Sequence, residues 1–262
     1  MLRFCSLYSG SSGNSIYIGS QRTNLLVDAG VSGVRISNAL KELSVASECI
    51  DAILITHEHS DHICGAGIFS RKFDVPIYAT EKTWLAMRRE IGKMREENIR
   101  IIDNEYFTIG DIDICAYPIP HDAADPTAYT FYVSNRKVSV ATDIGYVTET
   151  IHKNVMGSDI ALIESNHDED MLINGSYPQY LKKRILSDHG HLSNAAASEL
   201  AAELALSGTK YIYLGHLSKE NNYPELALSA SRNALSERGI KTERDVFLTV
   251  APRDTYGEVT EL

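Results

Sequence analysis

Several protein classes are excluded by what this chain lacks. No segment of its 262 residues is long and apolar enough to span a bilayer. Met1-Leu2-Arg3 runs straight into strand-like sequence, without the charged start, apolar stretch and cleavage site of a signal peptide. A cytoplasmic protein with no membrane partner is therefore expected. Cysteine is scarce: Cys5, Cys49, Cys64 and Cys115 are widely spaced and form no CxxC pair. Reduced thiols follow, rather than a disulfide frame or a thiolate zinc site. Basic residues are in deficit, with 25 Lys and Arg against 35 Asp and Glu and a formal net charge of −10. That balance argues against nucleic-acid binding by overall electrostatics. Long linkers, internal repeats and low-complexity segments are also missing, so one domain over residues 1–262 is expected.

What the chain does have is histidine and aspartate in one place. Thr56-His57-Glu58-His59-Ser60-Asp61-His62 directly follows the apolar run Asp51-Ala52-Ile53-Leu54-Ile55, which reads as a strand buried on both faces. Residues two apart in an extended segment point the same way. His57 and His59 can thus reach one ion, while Asp61 and His62, past a bend, reach a second. A helical zinc site would set its histidines four apart, as in HExxH, and no such pair stands here. Further ligand-type residues end apolar runs downstream: His121 after Tyr117-Pro118-Ile119-Pro120, Asp143 after Val140-Ala141-Thr142, and His216 after Tyr211-Ile212-Tyr213-Leu214-Gly215.

The HxHxDH spacing with these distant partners resembles the metallo-β-lactamase superfamily of hydrolases. The resemblance implies an α/β fold, the αββα four-layer sandwich, with the site at one edge between two sheets. It implies that His57, His59 and His121 hold one divalent ion, that Asp61, His62 and His216 hold another, and that Asp143 bridges them. Asp28, ending Leu25-Leu26-Val27, would buttress the metal loop from behind. Zinc fits this histidine-rich set, and manganese or iron suits it as well. Two such ions would raise the local potential against the acidic net charge. No long insertion follows Asp143, so no inserted cap domain is expected, and the carboxylate at that position disfavours antibiotic hydrolysis.

Two motifs lie outside the minimal metal site. Glu164-Ser165-Asn166-His167-Asp168 closes a strand, and Gly190-His191-Leu192-Ser193-Asn194 opens a helix. The pairing resembles the tRNA-maturation endonucleases of the superfamily, which implies His191 as general acid and Glu164 as the carboxylate that fixes its tautomer. With the turn Ser9-Gly10-Ser11-Ser12-Gly13-Asn14 and Leu214 through Asn222, these motifs are similar to the YycJ/WalJ exonuclease family. That resemblance implies a dinuclear phosphodiesterase acting 5′-to-3′ on double-stranded DNA, with DNA as substrate, repair-pathway proteins as partners and a metal-bridging hydroxide as nucleophile. Asp61 would act in catalysis as well as ligation. Ser11, Asn14, His167, Lys219 and Asn222 are candidate substrate contacts. A phosphodiesterase for a small cyclic phosphate is the nearest alternative. A thioesterase or lactonase, or a metal-loaded interaction module without turnover, stands further off.

Periodicity fills in the rest. Ile36, Ala39, Leu40 and Leu43 mark an amphipathic helix, Glu81 to Glu97 a charged one capped by Thr80, and Pro224 to Arg238 the last. Residues 101–141 alternate strands with turns and read as an antiparallel set, and Val246 to Val250 reads as the terminal strand.

Overall fold

In the computed structural model, which describes residues 1–262, the first block of the chain supplies β1 (Arg3–Tyr8), β2 (Ser15–Gly19), β3 (Asn24–Val27), β4 (Ala52–Leu54), β5 (Ile77–Ala79) and β6 (Ile99–Ile101). Helices α1 (Gly33–Glu42), α2 (Ser60–Ile63), α3 (Ala66–Phe73) and α4 (Glu81–Ile91) are interspersed among them. The second block supplies β7 (Tyr106–Ile109), β8 (Ile112–Pro118), β9 (Thr127–Val133), β10 (Arg136–Ala141), β11 (Ile160–Glu164), β12 (Tyr211–Gly215) and β13 (Phe247–Val250). With it come α5 (Glu149–Val155), α6 (Glu169–Asn174), α7 (Gln179–Ile185), α8 (Asn194–Leu206) and α9 (Pro224–Glu237). A last short strand, β14 (Thr260–Glu261), pairs antiparallel with β1.

The result is two seven-stranded sheets of matching design, ordered β14-β1-β2-β3-β4-β5-β6 and β13-β12-β11-β10-β9-β8-β7. In each, an antiparallel half is continued by a parallel half, the change falling at β3/β4 and at β10/β11. Strand alternation assigns the faces. Leu25 and Val27 of β3 and Leu54 of β4 face the other sheet, where they meet Tyr129, Phe131 and Leu162. Leu26 and Ile53 point outward beneath α1, α3 and α4, and Ala161 and Ile163 do so beneath α5, α8 and α9. Each fully buried Leu, Ile or Phe in these layers contributes about 1.5–3 kcal/mol of burial free energy. The four-layer αββα sandwich is the expected one, without an inserted cap.

Boundaries differ where local chemistry overrides periodicity. α4 stops at Ile91 instead of running to Glu97, because Gly92 turns the chain at φ 78 and a 3-10 turn at Glu96–Asn98 leads into β6. The final strand is β14 rather than β13. β6, α6 and β14 are too short to leave a periodic signal.

Parallel strands place their carboxyl ends at one edge, and this edge carries the chemistry. β3, β4, β8, β10, β11 and β12 end there, delivering Asp28, His57, His121, Asp143, Glu164 and His216 respectively. No helix is long and apolar enough to cross a membrane.

Candidate metal centre

At the β4 end, Thr56 and His57 leave the strand and α2 begins at Ser60, so the metal loop is a strand-to-helix bend. His57 Nε2 and His59 Nδ1 stand 3.0 Å apart, and His121 Nε2 lies 3.3 Å from the same His59 nitrogen. Across the bend, Asp61 Oδ2 lies 3.6 Å from His62 Nε2 and 3.5 Å from His216 Nε2. Donors sharing one tetrahedral ion at about 2.0–2.1 Å stand about 3.3 Å apart, so both triads have the spacing of ligand sets. Asp143 sits between them. Its Oδ1 is 3.9 Å from His121 Nε2 and its Oδ2 is 3.4 Å from His62 Nε2.

Behind four of the five imidazoles is a partner that decides which nitrogen it presents; His59 has none and turns Nδ1 inward. Asp28 Oδ2 accepts from His62 Nδ1 at 2.8 Å and also from Thr56 Oγ1, while Asp28 Oδ1 accepts from Thr56 N. His57 Nδ1 donates to Thr56 Oγ1, His121 Nδ1 to the Gly190 carbonyl, and His216 Nδ1 to Glu164 Oε1. All four histidines therefore turn Nε2 inward. The resemblance placed Asp28 at this position, but nothing in the sequence pointed to Thr56, Gly190 or the double duty of Glu164. Buried Glu164 Oε1 accepts from His191 Nδ1 as well, at 2.8 Å, and its Oε2 accepts from the backbone of Ile144 and Leu192.

The electrostatics of the cluster follow from burial and these carboxylates. Burial, reinforced by neighbouring histidines, holds His57 far below the ordinary imidazole range. His121 is likewise lowered by burial. Burial opposes charge on His62, but Asp143, Asp28 and Asp61 outweigh it and push that ring up to about 9. His216 is raised in the same way by Asp143, Asp61 and Glu164. Asp61 and Glu164 are held below the usual carboxylate range, burial being outweighed by the imidazoles they face. The cluster is thus a buried arrangement of negative charge built to hold positive charge. His216 Nε2 and Asp143 Oδ2 are buried with no hydrogen-bond partner. A divalent cation among the triads satisfies both, and the residues present fit that group.

Backbone strain accumulates here. Asp28, Asp143 and His216 adopt φ of 60, 59 and 55, the left-handed region that non-glycine residues seldom occupy. Gly30 is required because a Cβ there would meet the Asp61 carbonyl oxygen at 1.7 Å. That close approach lets Asn14 N donate to the Asp61 carbonyl and fixes the bend.

The candidate substrate contacts are distributed unevenly. Ser11 is exposed at the tip of the 9–14 turn, and Lys219 is exposed beyond His216. Asn14 is buried, its Oδ1 accepting from Gly10 N and its Nδ2 lying 3.2 Å from His62 Nε2. Asn222 is buried too, and its Nδ2 donates to the Ser165 and Asn166 carbonyls. Its contacts are internal. His167 is buried with neither ring nitrogen bonded. Ser193 caps α8 through Ala196 N. Ser9 Oγ accepts from His216 N and pins that residue's backbone, a role no sequence pattern signals. Cys64 is exposed and donates to the Gly30 carbonyl. From His191 a groove of about 710 Å³ opens beside α5 and α8.

A family profile described as "Beta-lactamase superfamily domain" matches residues 23–217. The exodeoxyribonuclease YycJ of Bacillus anthracis is 43% identical over 239 residues, covering 91% of this chain and 90% of that protein. The exodeoxyribonuclease WalJ of Streptococcus pneumoniae is 43% identical over 263 aligned positions, covering 99% and 98%. Among solved structures, the metallo-β-lactamase fold protein YhfI of Bacillus subtilis superposes with TM-score 0.71 at 17% identity over 99% of this chain and 98% of its own. That likeness speaks to the fold alone. The chain belongs to the β-lactamase superfamily and, within it, to the YycJ/WalJ family. It is a metal-dependent hydrolase.

Proposed function

We propose that the protein is a 5′-to-3′ exonuclease on double-stranded DNA, working with two divalent ions of zinc, manganese or iron. The relatives' name supports the substrate, and the division of the donors into two triads around Asp143 supports the count of ions. The observation that carries phosphodiester chemistry is the Glu164–His191 pair. A phosphodiester leaves a strongly basic alkoxide, so its hydrolysis benefits from a positioned acid. His191 Nδ1 is committed to Glu164 at 2.8 Å, which leaves Nε2 to face the substrate, and the ring is 16% exposed where His57, His62, His121 and His216 are buried. Divalent ions, when bound, supply a water nucleophile near neutral pH and neutralise charge on the phosphoryl oxygens.

The remaining steps belong to the chain. Asp61, His62 and His216 on one side and His57, His59 and His121 on the other would hold the two ions with Asp143 between them, which sets where the reacting phosphate lies relative to His191. The water oxygen bonds to phosphorus and the bond from phosphorus to the 3′ oxygen breaks, its electron pair going to that oxygen. His191 Nε2 gives the 3′ oxygen its proton, the attacking water loses one to solvent, and solvent recharges the imidazole. A nucleoside 5′-phosphate departs and the shortened strand keeps a 5′-phosphate.

The test is digestion of a linear 5′-phosphorylated duplex against a closed circular one, with manganese or zinc added and Asp143→Ala as contamination control. Mononucleotides released from the linear duplex alone, first from the 5′-labelled end, are expected. Release from neither, with ions bound, would turn the reading to a small cyclic phosphodiester.

A further inference from the structure

The groove beside His191 is lined by Glu149, Glu169, Glu199 and Glu203 and by no Lys or Arg. Glu199 is paired with Arg238 and Glu203 lies 3.1 Å from His152 Nε2, while Glu149 and Glu169 have no ion-pair partner. With no Lys or Arg in the lining, these two carboxylates disfavour phosphate and make the groove a poor track for the DNA backbone. Leu186, Leu192, Ala196 and Leu200 give it an apolar strip among polar side chains that include Thr148, His152, His167 and Ser193, and Tyr146 also lines it, 48% exposed. Tyr146 follows Asp143 by three residues, and the loop between them is locked, since a Cβ at Gly145 would meet the Asp188 carbonyl at 2.1 Å. The backbone that carries Tyr146 is thus fixed relative to Asp143, and its exposed ring lines the same groove as the proton donor His191.

The group attached to the leaving oxygen must lie beside the acid that protonates it. In the 5′-to-3′ reading that group is the terminal nucleoside, whose base is neutral and flat. We propose that this groove receives the sugar and base of the terminal nucleotide, with Tyr146 as the stacking platform; the proposal rests on the exonuclease reading above. The glutamates turn the phosphates away and leave the base as the part that enters. Stacking of a base on an aromatic side chain is sequence-tolerant, so the groove accepts every terminal base while requiring that one be present.

The test uses linear duplexes whose 5′-terminal nucleotide is either ordinary or abasic, with first cleavage timed for the intact enzyme, Tyr146→Phe and Tyr146→Ala. Removing the terminal base is expected to slow the intact enzyme and Tyr146→Phe by about tenfold, within the range alanine substitution gives for one stacked base. Tyr146→Ala is expected to be slow on both duplexes and to show no further loss when the base is removed. A binding readout goes with it: 2-aminopurine at the 5′ terminus, with a phosphorothioate first linkage, is expected to lose fluorescence on adding the intact enzyme but not Tyr146→Ala. Equal rates on ordinary and abasic ends, or unaltered quenching in Tyr146→Ala, would overturn the proposal while leaving the exonuclease reading intact. Failure to cleave either duplex would instead remove the exonuclease reading, and the proposal with it.

Discussion

Glu164 is the residue whose loss the geometry makes most specific. Its carboxylate is fully buried and accepts four hydrogen bonds: His191 Nδ1 and His216 Nδ1 on Oε1, Ile144 N and Leu192 N on Oε2. Glu164→Gln preserves shape but offers one acceptor oxygen and one NH2 group. With the oxygen toward the imidazoles, two backbone donors lose their partner. With the NH2 group toward them, both rings must swap tautomer, and His216 then presents a protonated Nε2 to the metal side. Either way two charge-assisted bonds go, at about 1.5 kcal/mol or more each, so destabilisation is about 3 kcal/mol. For a chain of this size that corresponds to a fall in melting temperature of roughly 6–10 °C. The variant is also expected to lose the ion held by Asp61, His62 and His216 while retaining the other. Thermal unfolding beside elemental analysis of the same sample measures both. A variant melting within about 2 °C of the parent, with both ions retained, would refute the claim that one carboxylate orients both histidines.

Other substitutions separate ligation from acid catalysis. Asp143→Ala is expected to lose both metal content and activity, and near-normal turnover in a metal-counted sample would sink the bridging assignment. His191→Ala is expected to keep its metals and lose about 10²–10⁴ in rate; an unchanged rate would remove His191 from the chemistry. Asp28→Asn frees the His62 tautomer and is expected to weaken metal affinity by about 10–100-fold, read by chelator competition. Unaltered affinity would show that Thr56 alone suffices to fix the metal loop.

Much of this cluster was legible because its histidines and aspartates follow apolar runs. Ile53 to Ile55 before His57, Ile119 before His121 and Ile212 to Leu214 before His216 announce strands, and a polar residue at a strand end is where a sheet edge carries chemistry. The sandwich followed from strand blocks and the seven-ligand pattern together. What could not be read is contact between segments distant in the chain. The hydrogen bonds from His216 N to Ser9 Oγ and from His121 Nδ1 to the Gly190 carbonyl span 207 and 69 residues, and no local pattern encodes them. Asn222 sits beside a ligand in sequence yet turns its amide inward, because proximity along a chain says nothing about direction once the backbone bends. Short elements such as β14 are held by pairing with β1, not by their own propensity.

The position of charge explains how an acidic protein can act on a polyanion and why it would do so at an end. Asp28, Asp61, Asp143 and Glu164 together bring as many negative charges to the cluster as two divalent ions bring positive ones. The inner site is then close to neutral and exerts little long-range pull on phosphate. Arg184, beside the His121 loop, is already tied to Asp122, and the adjoining groove is lined with glutamates. A duplex interior offers this surface only a continuous phosphate ladder, which the formal charge of −10 disfavours. A terminus offers a first linkage whose phosphate can reach the cluster and a base that can leave the stack, and both would be met at short range. On the exonuclease reading, selection for an end would therefore come from the scarcity of free positive charge around the cluster rather than from a dedicated wall across the groove.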